Sequence, residues 1–446
     1  MPKSTKPARA ASRAKRNDFL TALPGPETIV RRELSNGLVV LVRENHTSPS
    51  VVVDGDLRVG ALWESRAQAG LADFTTSALM RGTERRTFAE IYEQIESVGA
   101  SLWFSGGTHT SGVSGKALAE DLPLLIEMAA EALRQPIFPE AQVESLRGEI
   151  LTHLAIRDDD TRSRASRAFF EVAYPGHPYS IESEGYPETI AALTRNDLAD
   201  FHRRNFGPRG MILTIVGAVR AEEAIALVEK HFGDWSNAEQ TAAPELPPVA
   251  APESPIRRNV VIPGKTQSDL MLGVPGPARR HPQFLTARMA NNILGVFGMG
   301  GRIGYQVREK HGMAYYAASD VEGGLGPGAW YAYAGVNPAN VEKSIELIVR
   351  EIGKFTSRQV TEQELADNKA LFIGRLPLSL ETNSGVAGSI SNMELHDLGL
   401  DYLQRFPSMI QAITRDEVLE VAREFLNPKA YALAVAGPDL KDNQAG

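Results

Sequence analysis

The chain has 446 residues, 43% hydrophobic and 23% charged, which is the balance of a globular protein and more length than one ordinary core needs. A net charge of −8 argues against a general nucleic-acid binder. No apolar run approaches the ~20 residues of a membrane-spanning helix, and the absence of Cys excludes disulfides and thiolate metal sites while suiting a reducing compartment.

Residues 1–24 read as a basic disordered tail. Lys3, Lys6, Arg9, Arg13, Lys15 and Arg16 occur without an acid in the first 17 residues, and there is no apolar stretch of the secretory kind. A cytoplasmic location is expected; a mitochondrial matrix location would follow if this tail were a transit peptide. Strands are predicted over residues 30–34, 38–43 and 51–59, the first two joined by an Asn36-Gly37 hairpin turn. Helices follow over 70–80 and 87–98, then a strand pair over 101–105 and 111–118, then amphipathic helices over 122–134 and 139–157.

The chain then repeats itself. Thr194 to Gly217 realigns without gaps on Thr414 to Gly437, an offset of 220, with six identities: Thr194/Thr414, Arg195/Arg415, Arg203/Arg423, Pro208/Pro428, Leu213/Leu433 and Gly217/Gly437. Each copy reads as a capping box, a helix stopped by proline, and an apolar strand. A repeat this long implies two homologous domains rather than a solenoid. Between the copies, residues 239–255 carry Pro244, Pro247, Pro248, Pro252 and Pro255, the composition of a semi-rigid extended linker. The first domain is therefore placed at 25–238, the second at 256–440, and a tail at 441–446. Mixed helices and hairpins give an α+β class: two homologous domains, each a mostly antiparallel sheet with helices packed on one face.

The most informative segment is Gly70-Leu71-Ala72-Asp73-Phe74-Thr75-Thr76-Ser77, closed by Gly82-Thr83. It resembles the zinc-site helix of the pitrilysin/insulinase metallopeptidase family, whose inverted motif reads G-x-A-H-x-x-E-H…G-T. Positions i, i+3 and i+4 share one face of a helix, so H-x-x-E-H aims two imidazoles and a carboxylate at one point. Zinc there lowers the pKa of bound water, and the carboxylate takes the proton. The frame of Gly70, Ala72, Gly82 and Thr83 is kept, but Asp73, Thr76 and Ser77 stand where the resemblance puts histidine, glutamate and histidine. The family's third ligand is a glutamate, and His153, 76 residues beyond Ser77, stands at its position. Two remaining ligands, Asp73 and His153, with no base are too few for a catalytic zinc site. An ordinary exposed or hydrogen-bonded histidine is the preferred reading of His153.

The resemblance runs over roughly residues 25–440. It includes Gly176-His177-Pro178-Tyr179 with Gly185, Leu272-Gly273-Val274-Pro275-Gly276-Pro277, and Asn337-Pro338-Ala339-Asn340. Its sharpest part is Arg302…Gln306-Val307-Arg308-Glu309-Lys310-His311-Gly312-Met313-Ala314-Tyr315, similar to the family's R-L…L-R-E-K-x-G-L-A-Y. In the family that segment carries an Arg/Tyr pair that binds the substrate backbone, which here would be Arg308 and Tyr315. A guanidinium offers rigid donors, and a phenol adds a donor to a developing oxyanion. From the residues alone, a surface arginine and a core strand tyrosine are the preferred reading; the motif around them favours the substrate-binding role. Tyr316 faces the other way on a strand and reads as structural.

The resemblance implies a LuxS/processing-peptidase-like fold and a division of labour. This chain would bind no zinc itself. It would be the non-catalytic, substrate-binding subunit of a heterodimeric zinc endopeptidase, whose H-x-x-E-H partner supplies zinc and cuts peptides in an enclosed chamber. Two alternatives stand: a structural core-type subunit of a larger complex, or a stand-alone peptide-binding pseudoenzyme. Other patterns carry less. Gly264-Lys265-Thr266 lacks the first P-loop glycine, because Asn259 stands there. Gly295, Gly298, Gly300 and Gly301 read as a tight helix-entry turn or as a shortened version of the family's substrate-touching glycine loop. Asp158-Asp159-Asp160 reads as a solvated helix end, and residues 81–86 as an exposed charged loop.

Overall fold

The structure is a computed structural model that describes residues 23–440. Residues 1–22 of the basic tail and the 441–446 tail lie outside the described residues. Two sheets organise the rest.

The first half runs β1 (Val30–Glu33), β2 (Val39–Glu44), β3 (Ser50–Leu57), α1 (Leu71–Ala78), α2 (Phe88–Ser97), β4 (Ser101–Ser105), β5 (Ser111–Leu118), α3 (Leu122–Arg134), α4 (Glu140–Asp159), α5 (Thr161–Ala173), α6 (Pro187–Ala192), α7 (Arg195–Asn205), β6 (Ile212–Gly217) and α8 (Ala221–Phe232). The second runs β7 (Ile256–Val261), β8 (Ser268–Pro275), α9 (Phe284–Gly295), α10 (Phe297–Gly304), β9 (Ala314–Val321), β10 (Ala329–Val336), α11 (Val341–Phe355), α12 (Glu362–Ser379), α13 (Asn383–Leu395), α14 (Tyr402–Ala412), α15 (Arg415–Phe425) and β11 (Ala432–Gly437). Residues 241–252 between the halves carry neither helix nor strand.

The sequence repeat is a repeat of structure. Thr194 and Thr414 each accept a hydrogen bond from the backbone N–H three residues on, and Asp197 and Glu417 return it, so both capping boxes are closed. The repeated strands β6 and β11 then enter their sheets in the same way. Strand β6 lies parallel to β2 and antiparallel to β3, and β11 lies parallel to β7 and antiparallel to β8. The sheet orders are β1-β2-β6-β3-β5-β4 and β7-β11-β8-β10-β9, with the remaining pairings antiparallel. The first sheet thus has the same five-strand pattern plus the hairpin strand β1. Gly37 makes that hairpin turn with φ of 87°.

Both repeated strands are buried at every residue, so each sheet is covered on two faces. On one face lie the half's own helices: Leu213 and Ile215 of β6 join Val40, Val42 and Val53 against α3 and α8. The opposite face is covered from the other half. Helix α13 lies across β3 and β6, with Val386 and Ile390 in one cluster with Leu41, Val52, Ile212 and Val216. Ser391 donates to Thr214 at 2.9 Å and Asn383 to the Ser50 carbonyl at 3.2 Å. Reciprocally, α5 lies across β8 and β11. Its Ala168, Phe169 and Ala173 pack on Met271, Ala432 and Ala434, small residues that let the helix approach the sheet closely. Thr161, at the start of α5, donates to the buried Asp269 at 2.6 Å. The two halves therefore exchange one helix each, and the exchanged helices are separated by about the spacing of the sequence repeat.

Two charged segments depart from their expected roles. Residues 81–86 are more than an exposed loop. Arg86 is mostly covered and pairs with Glu127 at 2.8 Å and with the buried Glu131, which also accepts from Thr83. The three aspartates of 158–160 are each partnered rather than merely solvated: Asp158 with Arg167 at 2.7 Å, Asp159 with Lys265 at 2.7 Å, and Asp160 as the cap of α5. The cationic end of the P-loop-like Gly264-Lys265-Thr266 is thereby an ion-pair partner, and the strand β8 follows it.

Candidate functional site

Helix α1 begins at Gly70, whose φ of 93° lies in the left-handed region that favours glycine. A Cβ there would stand 2.6 Å from Ile190 and 2.9 Å from the Glu184 carbonyl, so the position has no room for a side chain either. A glycine cannot cap a helix with its side chain. Glu64 does so instead, accepting from the backbone N–H of Gly70 and of Ala72, both at 2.7 Å. Burial pushes its carboxyl up to about 8 despite those two donors.

The face that would hold zinc is filled differently. Thr76 is 1% exposed. Its hydroxyl lies 2.8 Å from the Ala72 carbonyl and 3.0 Å from the Ser111 hydroxyl, itself 3.0 Å from the Val59 carbonyl, so two hydroxyl hydrogens serve these three contacts. This is a satisfied core hydroxyl, unable to take a proton from water. Ser77, one residue on, is half-buried. Asp73 sits in the first turn, where a carboxylate suits the helix dipole. The loop after β4 closes over it: a Cβ on Gly106 would stand 2.6 Å from an Asp73 carboxylate oxygen, and the Gly106 N–H bonds that carboxylate. Burial, then the nearby Glu184, push Asp73 up to about 6, against the pull of Gly106 and His153.

His153 projects from α4 with its side chain 63% exposed and its Nε2 3.5 Å from Glu184. Glu184 also holds Arg157 at 3.1 Å. The fold therefore brings Asp73 and His153 into one electrostatic neighbourhood and adds two carboxylates that the sequence reading did not single out. Glu184 was legible only as the neighbour of Gly185. Glu64 has no motif at all, since it caps a helix it does not belong to. The donor set does not fit zinc. The second-histidine position offers a hydroxyl, the base position is a bonded core threonine, and among the described residues no group of three or more His, Asp or Glu could hold a metal ion.

The segment Gly176-His177-Pro178-Tyr179 ties the halves together beside this face. His177 is buried, and its Nδ1 accepts from the Tyr179 N–H at 3.1 Å. The Tyr179 hydroxyl meets His109 at 2.6 Å and abuts Gly326 of the second half. A cavity of 370 Å³ opens there between the halves, lined by His109, Tyr179, Glu182 and Glu322. Burial lowers His109 to about 4 and raises Glu322 to about 6.

In the second half, the glycine segment puts a non-helical kink inside α10, just after α9. Gly298, Gly300 and Gly301 all have positive φ, and a Cβ on Gly301 would stand 2.6 Å from the Gly295 nitrogen. After α10 the chain widens into a π-helical turn, Tyr305–Lys310, that carries Arg308. The turn is pinned at its start by Arg302, which donates to both oxygens of Glu364 at 2.7 and 2.8 Å. Burial would raise the Glu364 carboxyl, but Arg302 and the Thr361 cap hold it at about 2. At the other end the Met313 N–H donates to the Val307 carbonyl at 2.9 Å.

This places Arg308 at a helix end and Tyr315 near the start of β9, the edge strand. Tyr315 is 84% exposed, so it is no core residue. The Arg308 side chain is 39% exposed, and its nearest carboxylate is Glu309, 3.6 Å from Nε. Tyr316 turns to the opposite face and donates to Asp269, completing the buried contact with Thr161.

Known proteins resemble the chain along nearly all of its length. The insulinase (peptidase family M16) model matches residues 39–183, and the peptidase M16 inactive domain model matches residues 192–372. An uncharacterized zinc protease of Mycobacterium leprae is 26% identical over 411 residues, 92% of each chain. The beta subunit of the mitochondrial-processing peptidase of Bos taurus is 26% identical over 431 residues, 93% of this chain and 85% of that one. Among solved structures, a protease from Helicobacter pylori superposes with a TM-score of 0.86 at 22% identity, covering 93% of this chain and 100% of that one. A peptidase M16 inactive domain from Pseudomonas fluorescens gives 0.83 at 23%, covering 92% and 98%. The two-domain α+β fold is the fold of those structures, and the chain belongs to the insulinase (M16) peptidase family.

Proposed function

We propose that this chain is the substrate-clamping subunit of a two-chain zinc endopeptidase, with zinc and the H-x-x-E-H motif on a homologous partner and peptides as substrates. The observation that carries the reading is the contrast on α1 and β9. Thr76 is bonded into the core where a general base is required, while Tyr315 stands exposed at an edge strand with Arg308 close by in sequence. An exposed phenol and a guanidinium whose carboxylate neighbour, Glu309, is itself exposed can both donate to peptide carbonyls. Nothing in the packing of the second half requires Tyr315, whereas Tyr316 next to it is tied to Asp269.

The test uses the purified chain mixed with an H-x-x-E-H family partner. Mixing is expected to produce peptide cleavage that neither chain gives alone. In the mixture, Arg308→Ala should lower turnover by about 10- to 1000-fold, the range for losing one transition-state donor. The same variant should keep its unfolding midpoint, because among the described residues the Arg308 side chain has only an ion pair with the exposed Glu309. Unchanged turnover in the mutant complex contradicts the clamp role.

A further inference from the structure

A cavity of 430 Å³ in the second half lies between α9, the end of β9, α12 and α14, and its wall carries three arginines, Arg279, Arg288 and Arg375, against one acid, Asp320. The surplus of positive charge stands out in a chain whose net charge is −8. It is compensated only in part from within, by Asp320. Among the described residues, neither Arg288 nor Arg375 has a hydrogen-bond or ion-pair partner, and the acid is turned to its own chain, accepting from the Val321 N–H at 2.8 Å. Like charges gathered in one concavity repel, and an arginine fork left open is a ready donor for a carboxylate or phosphate.

Two of the three guanidiniums are also held in place. Arg279 donates to the Tyr402 hydroxyl at 3.0 Å and lies 5.0 Å from the Phe284 ring centroid and 5.2 Å from that of Tyr402. Arg288 lies 5.7 Å from the ring of Phe372. Stacking fixes the plane of a guanidinium while leaving its edge N–H groups free, so a ligand would meet donors already oriented. The neighbouring Arg280 is by contrast neutralised, 2.6 Å from Asp397. Burial, then the proximity of Arg279, lower the pKa of Arg288 and outweigh the opposing pull of Tyr402 and Asp320.

We infer that this pocket binds an oxyanion of at least two charges, and that Arg279, Arg288 and Arg375 are the groups that grip it. The chemistry is common to two sources, the clustered carboxylates of an acidic peptide and a small polyanion. The pocket is independent of the proposed partner, because all of its walls belong to this chain.

Calorimetric titration of the full chain alone, in a phosphate-free low-salt buffer, tests it with tripolyphosphate and with a hexaglutamate peptide as separate probes. Saturable binding at one site per chain is expected for at least one probe, weakening as salt is added. Arg288→Gln and Arg375→Gln, neither of which removes a hydrogen bond or ion pair among the described residues, should each weaken it about tenfold or more, the loss of one charge-assisted contact. Arg358→Gln, outside the pocket, should leave it unchanged. Binding of tripolyphosphate alone assigns a small polyanion, and binding of the peptide assigns carboxylate clusters. Absence of saturable binding by both probes, or equal affinity in the two pocket variants and the wild type, overturns the inference.

Discussion

The two halves of this molecule are alike in frame and unlike at their sites. Each builds the same five-strand pattern, closes its repeat helix with the same capping box, and hands one helix to the other. On that shared frame, α1 of the first half carries Asp73, Thr76 and Ser77 where the family resemblance puts two metal ligands and a base. Thr76 belongs to the core, Asp73 lies under the Gly106 loop, and His153 answers Glu184. The π-turn and edge strand of the second half keep Arg308 and Tyr315 outward. The lesson is that the scaffold of α1 does not depend on the side chains it presents, because the glycines that shape it serve the backbone. The two regions should therefore respond to mutation in opposite currencies: stability at α1, turnover at Arg308.

The shared frame gives the largest expected effect. Phe169 on α5 and Ile390 on α13 are both fully buried, each against the other half's sheet. Phe169→Ala should cost about 3–5 kcal/mol and Ile390→Ala about 2–5 kcal/mol, as core truncations do. Because the helices are exchanged, denaturant unfolding followed by fluorescence and by circular dichroism should give one coincident transition in both variants. Separate transitions for the two halves would break the symmetry claimed for them.

Smaller is the effect of reinstating the missing base. Thr76→Glu would set a carboxylate against Ser111 in a fully buried position, at a cost of about 2–3 kcal/mol from the unsatisfied charge. Zinc retained on dialysis should not increase. A variant that gains zinc without losing stability would show that α1 still keeps a metal-ready face.

The smallest effect is a pH dependence at Asp73. Its carboxyl is raised from 3.8 to about 6 in the folded chain by burial and by Glu184. The folded state thus keeps the proton that the unfolded chain gives up near the ordinary value. This group's contribution is full below that value, declines as pH rises, and is lost above about 6. Asp73→Asn should gain stability relative to wild type as pH rises from about 4 to about 6, then hold level. A difference that stays constant over that range, in thermal melts taken across it, contradicts the placement of Asp73.

Much of the frame was legible because it depends on local chemistry. Asn36-Gly37 dictates a turn, Thr194 and Thr414 dictate caps, and Gly70 and Gly82 mark backbone positions that side chains would not tolerate. The substitutions at 73, 76 and 77 were legible for the same reason, since spacing on a helix fixes which residues share a face. What escaped depends on distant parts of the chain. Residues 161–173 show no mark of the sheet they will cover, because amphipathicity names a face but not its partner. Glu64 and Glu184 gain their roles by folding back onto α1. The arginines at 279, 288 and 375 come from three separate segments, so no window along the chain contains their pocket.

The central claim is that this chain holds a peptide but has no metal chemistry of its own. The most direct measurement is zinc content and peptide cleavage on the purified chain, alone and mixed with an H-x-x-E-H partner. The account predicts less than one zinc per chain and no zinc-dependent cleavage alone, with cleavage appearing on mixing. One tightly held zinc touching Asp73 and His153, with proteolysis by the isolated chain, would contradict it.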